Sequence, residues 1–327
     1  ASWRRSSHPP ARRGEAAQAP VTGSHRGCRC GFAAGVPGPE QAPTPEAKHL
    51  AEQAELQADR NRAYYAKNRA LHRSAVPRPT EQIRNCILVH QQPNARIARS
   101  GALDPERVWR APLLNDSRVF RCSEEENQPS FTVDLLLDAS ASRLHCQEVI
   151  AAQGTILAQS LAACGIPVRV SSFCSLRGYT VLRVLKGFAD KSLQGIDQYF
   201  ASGWNRDGLA LRAAGDLVSF DPGPAPRHLL ILLTDASPND SRRVPPRPEQ
   251  PLGCDYGGSY GVDDAAAEVR TLRRRGLRVS AVFMGEDSSS HDAERIYGKN
   301  LARIRGMDQL ARAAGRLIQN EIRELGD

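Results

Sequence analysis

The sequence lacks the features of several large classes of protein. No run of apolar residues approaches the roughly 18 that a membrane-spanning helix needs, so we expect no membrane insertion. The basic N-terminal region has no apolar segment of the kind found in a secretory signal. The chain begins with Ala1 rather than Met, so we expect a fragment or a processed product.

Motifs of ATP hydrolysis and of ester hydrolysis are also missing. There is no Gly-x-x-x-x-Gly-Lys-[Ser/Thr] phosphate loop, so we expect no ATP hydrolysis by this chain. Ser140 lies at a predicted turn between a strand and a helix, as a hydrolase serine would, but the Gly-x-Ser-x-Gly motif is absent. His145 follows soon after but faces the start of the helix. We therefore expect a protein that is not an enzyme.

The eight cysteines predict neither a disulfide framework nor a zinc site. Cys28 and Cys30 form a Cys-x-Cys pair, but no second pair follows at a zinc-binding spacing. Other cysteines lie in or beside predicted core elements and resemble small buried hydrophobic residues: Cys122, Cys146, Cys164 and Cys174. Because reduced thiols are the default in the cytoplasm, we expect a cytoplasmic protein.

The positive charge is concentrated in the first quarter of the chain. Residues 1–80 hold 13 Lys and Arg against 6 Asp and Glu, a balance of +7 in a total of +8. The remainder is close to neutral, which argues against a basic face that binds nucleic acid specifically. The basic region can be a solvated tail or can touch an acidic partner.

Composition divides the chain into three parts. Residues 1–80 are predicted to be a disordered tail rich in Pro, Gly and Arg, with a possible exposed helix at 46–74. Residues 81–127 are predicted to be an irregular approach segment, in which Asp104 precedes Pro105 as the N-cap of a short helix. Residues 128–327 are predicted to form one α/β domain.

In that domain, apolar strands alternate with amphipathic helices, as in a doubly wound sheet. The predicted strands are 131–137, 167–173, 179–185, 228–234, 278–283 and about 301–305. The predicted helices are 145–164, 206–219, 263–275 and 307–325. The second and third strands are too close for a parallel crossover. We therefore predict a mostly parallel sheet with one antiparallel edge strand.

A tight polar loop follows the first apolar strand. It reads Asp138-Ala-Ser140-Ala-Ser142, with one carboxylate and two hydroxyls. Open α/β sheets bind ligands at the carboxyl ends of their strands, and oxygen ligands of this kind suit Mg²⁺ or Mn²⁺. The alternative is that the two serines are simple N-cap residues of the following helix.

Two further segments supply partners for this loop. A second apolar strand ends at Asp235, and between the two strands Asn205 and Asp207 begin an amphipathic helix. Either of these two residues is placed to face the metal or to cap the helix. The predicted metal ligands are therefore Asp138, Ser140, Ser142, Asn205, Asp207 and Asp235. The alternative is that the aspartates only cap helices or turn the chain.

The polar residues around these loops are candidates for contact with a partner. Rim aromatic residues often anchor partners, and Trp204 is one, although it can equally pack under the sheet edge. The other candidates are Arg206, Asn239 and Asp240. The loop 236–262 is longer than a connector needs, so it is either a partner-binding loop or a mobile insertion.

Together these segments resemble the von Willebrand factor A domain, whose metal-ion-dependent adhesion site has the Asp-x-Ser-x-Ser spacing. Within this group the chain is similar to nitric oxide reductase activation proteins of the NorD type and to cobaltochelatase subunits of the CobT type. The resemblance spans roughly residues 98–325. It is carried by Asp138–Ser142, Asn205–Arg212, Thr234–Asp240, Tyr260–Val269 and Ile296–Ile304.

The resemblance implies a non-catalytic, metal-dependent adaptor for a separate AAA+ ATPase of the MoxR type. Such a pair activates a client metalloenzyme, for example a nitric oxide reductase, or inserts its metal. A departure from the adhesion-site pattern is that Asn205 or Asp207 replaces the usual Thr of the middle loop. Arg143 is a further departure, because it can pair with a carboxylate and weaken metal binding.

Two other functions remain as alternatives. One is a chelatase subunit that acts on a tetrapyrrole with cobalt or magnesium, since Asp207-Gly208 followed by Ala-Leu fits that branch equally well. The other is a metal-dependent adhesion or protein-binding module. The absence of a signal peptide and the unpaired cysteines argue against an extracellular role.

Overall fold

The fold is described from a computed structural model. It covers residues 17–20, 28–34, 40, 42–90, 94–124, 131–246, 251–306 and 309–326. The strands are β1 Ala17–Pro20, β2 Arg29–Ala34, β3 Asn94–Ala98, β4 Ala102–Leu103, β5 Phe120–Glu124, β6 Phe131–Asp138, β7 Val168–Leu176, β8 Tyr179–Lys186, β9 Arg227–Thr234, β10 Asp240–Val244, β11 Cys254–Tyr256, β12 Arg278–Phe283 and β13 Leu301–Arg303. The helices are α1 Pro45–Lys67, α2 Arg69–Ala75, α3 Pro77–His90, α4 Arg110–Leu114, α5 Gln147–Ala163, α6 Asp207–Phe220, α7 Gly258–Arg274, α8 Ser290–Tyr297 and α9 Leu310–Gly326.

The main sheet has the strand order β1-β2-β8-β7-β6-β9-β12-β13. The strands from β7 through β6, β9 and β12 to β13 are parallel, and β8 pairs with β7 in the antiparallel direction. The predicted antiparallel strand is therefore confirmed. It does not lie at the edge, however, because β2 pairs with its other side.

Helices cover both faces of this sheet, because its central strands are apolar on both sides. Along β6, Leu135 and Leu137 pack with α5 and α9, whereas Leu136 packs on the opposite face with α6 and α7. Successive side chains of a strand point to opposite faces. Burying a leucine side chain fully contributes about 1.5–3 kcal/mol. This two-sided core fixes the strand ends that carry the polar loops.

The first helix after β6 ends where the sequence predicts. α5 ends at Ala163, and Gly165 follows with a positive φ of 72°, the left-handed conformation that glycine adopts without strain. Its start differs from the prediction, because residues 141–146 form a short 3₁₀ helix before α5 begins.

The N-terminal part differs from the predicted tail. Part of the predicted tail, in residues 1–16, 21–27, 35–39 and 41, lies outside the described residues. Within the described part, β1 and β2 extend the main sheet. The predicted helix is present as α1, which is mostly exposed but packs one buried face against α5. Its Asn61 side chain donates hydrogen bonds to the backbone oxygens of Asp197 and Tyr199.

The predicted approach segment is partly regular. It contains most of α3 and a separate three-stranded antiparallel sheet of order β3-β5-β4. Asp104 does not cap a helix directly. It forms a turn in which its Oδ1 accepts a hydrogen bond from the Glu106 N–H at 3.1 Å, and α4 begins only at Arg110.

The described part of the loop 236–262 contains regular secondary structure. It contains the antiparallel hairpin β10–β11, and α7 begins at Gly258 rather than at the predicted Asp263. The helix α8 was not predicted. In the part of the chain that the structure describes, no helix is both long and apolar enough to cross a membrane.

Candidate metal centre

The loop after β6 is shaped by Asp138. Its side chain is fully buried, and its Oδ1 accepts a hydrogen bond from the Ser140 N–H at 2.9 Å, which turns the chain out of the strand. The Tyr199 hydroxyl donates a hydrogen bond to the Asp138 backbone oxygen at 2.5 Å. The Asp138 carboxylate is therefore fixed at the carboxyl end of the central strand.

The two serine hydroxyls do not act as helix caps. Ser140 occupies the N-cap position of the 3₁₀ helix, but its side chain makes no capping hydrogen bond. Instead the Ser140 and Ser142 hydroxyl oxygens lie 2.9 Å apart, and Ser142 donates to Asp235 Oδ2 at 2.9 Å. The hydroxyls are thus directed toward the end of β9, as a shared binding site requires.

Asp235 follows the end of β9 directly. Its Oδ1 accepts a hydrogen bond from the Ser237 N–H at 3.2 Å, in the same kind of turn as at Asp138. Thr234, the last residue of β9, is fully buried and donates to Asp207 Oδ2 at 3.3 Å. The ends of β6 and β9 and the start of α6 therefore meet in one place.

The middle loop reaches this place through close backbone contacts. The backbones of Trp204 and Ser175 exchange hydrogen bonds of 2.7 and 2.8 Å, and those of Asn205 and Asn239 exchange two of 3.0 Å. Gly203 has a positive φ of 68°, and a Cβ there would lie 2.4 Å from the Ser175 carbonyl oxygen. Glycine is therefore required for the loop to lie this close to β7.

The two middle-loop candidates have different surroundings. Asn205 donates from Nδ2 to the Ser237 backbone oxygen at 3.2 Å, so its amide holds the loop to the segment after β9. Asp207 is fully buried, and its Oδ1 has no hydrogen-bond partner among the described residues. Neither residue caps α6, whose N-cap position is Arg206. Asp207 therefore has a buried carboxylate oxygen that is available to a cation.

Arg143 is the cation of this cluster. It is 4% exposed. Its Nη2 donates to Asp235 Oδ2 at 2.5 Å, and its Nε lies 3.7 Å from Asp138 Oδ2. Nε also donates to Ser142 Oγ, and Nη1 donates to the Met284 backbone oxygen, both at 3.2 Å. The pairing that the sequence allowed for Arg143 is thus present.

The pKa values of two carboxyl groups in this cluster are raised, in part because carboxylates lie close together. Burial, followed by the negative charge of Asp235, raises the pKa of Asp138 to about 7, although Arg143 acts in the opposite direction. Burial and the charges of Asp138 and Asp235 raise the pKa of Asp207 well above its usual range. One guanidinium does not balance three neighbouring carboxylates.

The donor set fits a hard divalent cation in its chemistry. It offers three carboxylates and two hydroxyls, and two buried carboxylate oxygens have no hydrogen bond in the described structure: Asp138 Oδ2 and Asp207 Oδ1. In this arrangement, however, no three Asp, Glu, His or Cys side chains of the described residues converge as a metal site. The carboxylates are arranged around Arg143 instead.

Two of the predicted partner contacts are buried. The Arg206 side chain is fully buried, donates to Asp240 Oδ2 at 2.7 Å and stacks on the Tyr256 ring at 4.0 Å. These two residues hold the middle loop to the β10–β11 hairpin, and a partner does not reach them in this structure. Asn239 and Trp204 are exposed, so of the two positions that the sequence left open for Trp204 the structure shows the one at the rim.

Sequence reasoning assigned no role to Thr234 or Tyr199. Thr234 stands next to Asp235 at a strand end, so its position could have suggested a supporting hydrogen bond. Tyr199 reaches Asp138 only through the chain path between β8 and α6, which no local pattern reveals.

Comparison with known proteins gives one curated relative. Over 141 residues, or 42% of this chain, the sequence is 26% identical to Protein NorD of Brucella suis biovar 1 (strain 1330). The match covers 20% of NorD, so it spans about a fifth of that protein's length. No family model matches the sequence. The chain resembles NorD, and the order and direction of its central strands match the von Willebrand A fold.

Several solved structures are similar at low sequence identity. The domain of the type V pili tip protein Mfa5 from Porphyromonas gingivalis has a TM-score of 0.44 and 12% identity, covering 61% of this chain and 97% of that chain. Manganese-loaded TRAP protein of Plasmodium vivax has a TM-score of 0.42 and 15% identity, covering 58% and 74%. Proximal thread matrix protein 1 from the mussel byssus, with a zinc-occupied MIDAS motif, has a TM-score of 0.41 and 15% identity, covering 60% and 46%.

Proposed function

We propose that this von Willebrand A domain binds a divalent cation, Mg²⁺ or Mn²⁺, and uses it to hold an acidic side chain of a partner protein. The observation that carries the proposal is the pair of buried carboxylate oxygens without hydrogen bonds, Asp138 Oδ2 and Asp207 Oδ1. They lie in a cluster where burial and the neighbouring carboxylates Asp138 and Asp235 raise the pKa of Asp207, so the ionised form of Asp207 is disfavoured without a cation. A cation would remove that penalty, because it attracts both oxygens at once.

The residues of the cluster divide the work of binding. Asp138, Asp207 and Asp235 supply charge, and Ser140 and Ser142 supply neutral oxygens. Ser142 is exposed and the Asp235 side chain is 15% exposed, so the cluster is reached from their side. When bound there, the cation would act as a Lewis acid that a carboxylate oxygen of the partner coordinates. Trp204, 44% exposed on the same loop system, would contact the partner beside it.

The proposed role is that of a non-catalytic adaptor in the cytoplasm. We propose a MoxR-type AAA+ ATPase as the partner and a metalloenzyme such as a nitric oxide reductase as the client. The partial similarity to NorD supports this choice. The absence of a phosphate loop in the sequence also supports it, because an ATP-driven step then requires a separate motor.

Affinity capture from native lysate tests the adaptor role. Wild type and Asp138→Asn are used as baits in Mg²⁺ and in chelator, and captured proteins are identified by mass spectrometry. Asp263→Asn is the matched control, because Asp263 is 55% exposed and pairs with Arg295 outside the cluster. We expect wild type and the control to capture an AAA+ ATPase in Mg²⁺ only, and Asp138→Asn to lose it.

The same experiment separates the alternatives. Capture of a tetrapyrrole-binding protein with the ATPase would favour the chelatase role. Capture of the ATPase by Asp138→Asn as well as by wild type would show that the cation does not mediate the contact. Metal-dependent capture of a surface protein with no ATPase would favour the adhesion role.

A further inference from the structure

Arg143 has an unusual place among the buried arginines of this domain. Both carboxylates that it faces in the described structure, Asp138 and Asp235, belong to the candidate metal centre. By contrast, Arg206 pairs with Asp240, which lies in the β10–β11 hairpin and is not a proposed ligand. Arg143 therefore draws its counter-charges from the same residues that would hold the cation.

The overlap extends to individual atoms. The guanidinium donates to Asp235 Oδ2 and Ser142 Oγ, and it lies 3.7 Å from Asp138 Oδ2. Each of these oxygens is a proposed ligand. An oxygen that accepts a short hydrogen bond from a guanidinium is poorly available to a cation, and two positive charges at one carboxylate repel each other. Arg143 and the metal therefore compete for the cluster.

The guanidinium also has a support outside the cluster. Its Nη1 donates to the backbone oxygen of Met284, just after β12, at 3.2 Å. This hydrogen bond does not involve a proposed ligand and can persist when the bond to Asp235 breaks. Arg143 is 4% exposed, so its guanidinium cannot reach bulk water unless neighbouring residues move.

We propose that Arg143 is the internal counter-ion of the metal-free centre, and that binding of a divalent cation displaces its hydrogen bond to Asp235. When no metal is bound, the guanidinium offsets the repulsion between the carboxylates. Because the metal has to displace it from Asp235, the guanidinium lowers the affinity of the site for metal. Arg143 is thus a positioning residue that sets metal affinity. This inference rests on the proposed metal site.

Titration with Mn²⁺ alone tests the inference, with calorimetry and the paramagnetic resonance of free Mn²⁺ as readouts. The variants of the full chain are Arg143→Met, which removes the charge at similar length, and Arg143→Lys, which keeps a charge but not the fork of donors. Arg295→Met is the control, because Arg295 pairs with Asp263 at an exposed site. Asp138→Asn reports whether binding occurs at this cluster.

We expect Arg143→Met to bind Mn²⁺ at least tenfold more tightly than wild type, Arg143→Lys to lie between them, and Arg295→Met to match wild type. In chelator, Arg143→Met should melt several degrees below wild type and recover more on addition of Mn²⁺. If Arg143→Met does not fold in chelator, the tighter binding of Arg143→Lys decides the question.

The two proposals fail in different ways. Unchanged or weaker binding in Arg143→Met or Arg143→Lys, together with loss of binding in Asp138→Asn, overturns the role of Arg143 and leaves the metal site standing. Binding in Asp138→Asn equal to wild type places the metal elsewhere and overturns both. Absence of binding in every variant also overturns both.

Discussion

The central strands bury an arginine beside carboxylates at two places, and the two places differ in which polar atoms are left without a hydrogen bond. Toward the amino end, Arg169 donates from Nε to Asp134 at 2.5 Å and from Nη1 to Asp221 at 3.1 Å, and it stacks on Phe188 at 4.6 Å. At the carboxyl end, Arg143 bonds directly to Asp235 and lies 3.7 Å from Asp138.

The atoms left without hydrogen bonds show what this difference means. At the amino end they are one acceptor and one donor, Asp134 Oδ2 and Arg169 Nη2. At the carboxyl end they are two acceptors, Asp138 Oδ2 and Asp207 Oδ1. At the first site the leftover donor and acceptor are balanced in number, as in a structural ion pair. The second has an excess of negative oxygens, which is a property of a site that binds a cation.

The largest effect is expected from breaking the balanced pair. Arg169→Leu leaves Asp134 buried without its partner, and we expect the free energy of unfolding to fall by about 3–5 kcal/mol. Urea denaturation measures it. The control is Arg62→Leu, since Arg62 pairs with Asp59 at an exposed site and should contribute less than about 1 kcal/mol. A similar small loss for both variants would contradict the comparison.

In the cluster at the carboxyl end, removing a carboxylate should instead raise the free energy of unfolding of the metal-free protein. The pKa of Asp138 is about 7 against an ordinary value of 3.8, with burial as the main cause. The folded metal-free protein therefore binds this proton more tightly than the unfolded chain, and its stability falls as the pH rises from about 4 to about 7. Asp138→Asn removes this penalty.

In chelator at pH 7.5 we expect Asp138→Asn to be more stable than wild type by on the order of 4 kcal/mol, because the shift from 3.8 to about 7 costs about 1.4 kcal/mol per pKa unit. The measurement is urea denaturation at a series of pH values. The variant should also show a flatter profile between pH 4 and 7. A profile parallel to that of wild type would show that Asp138 does not carry the penalty.

Metal should narrow the difference in stability between the two proteins. At a Mn²⁺ concentration of 100 times the dissociation constant, we expect wild type to gain about 2.7 kcal/mol, whereas Asp138→Asn gains nothing. Thermal unfolding with and without Mn²⁺ measures this gain. Equal stabilisation of both proteins would place the metal outside the cluster.

The smallest effect on stability is expected at the rim. Trp204→Ala removes a side chain that is 44% exposed, and we expect a change within about 0.5 kcal/mol. Capture of the partner should nevertheless fall at least tenfold, as for an interface anchor. Phe220→Ala is the matched control, because Phe220 is a 55% exposed aromatic residue at the other end of α6. Equal capture by both variants would remove Trp204 from the interface.

Local sequence pattern predicted the parts of the fold that depend on local physics. The continuous apolar runs of β6 and β9 identify strands that are buried on both faces, and the glycine after α5 identifies its end. The pairing of β2 with β8 was not predicted. Arg29–Ala34 has no strong periodicity, and a partner that is distant in sequence decides its conformation.

The candidate site shows the same division. Asp138, Ser140, Ser142 and Asp235 could be chosen from sequence, because a polar group directly after a buried strand must lie at the carboxyl edge of the sheet. The burial of Arg206 could not. It depends on the register that places Asp240 opposite Tyr256 in the hairpin, and these two residues enclose the guanidinium between them.

The sequence by itself determined the parallel α/β core and the order in which its polar loops follow the strands. Period and composition act within a few residues, and they suffice for those features. Only the tertiary structure decided that Asp207 Oδ1 is buried without a hydrogen-bond partner among the described residues, and that Arg143 faces two carboxylates. Both depend on how residues that lie 27 to 93 positions apart in the sequence meet, and on the low dielectric in which their charges then interact.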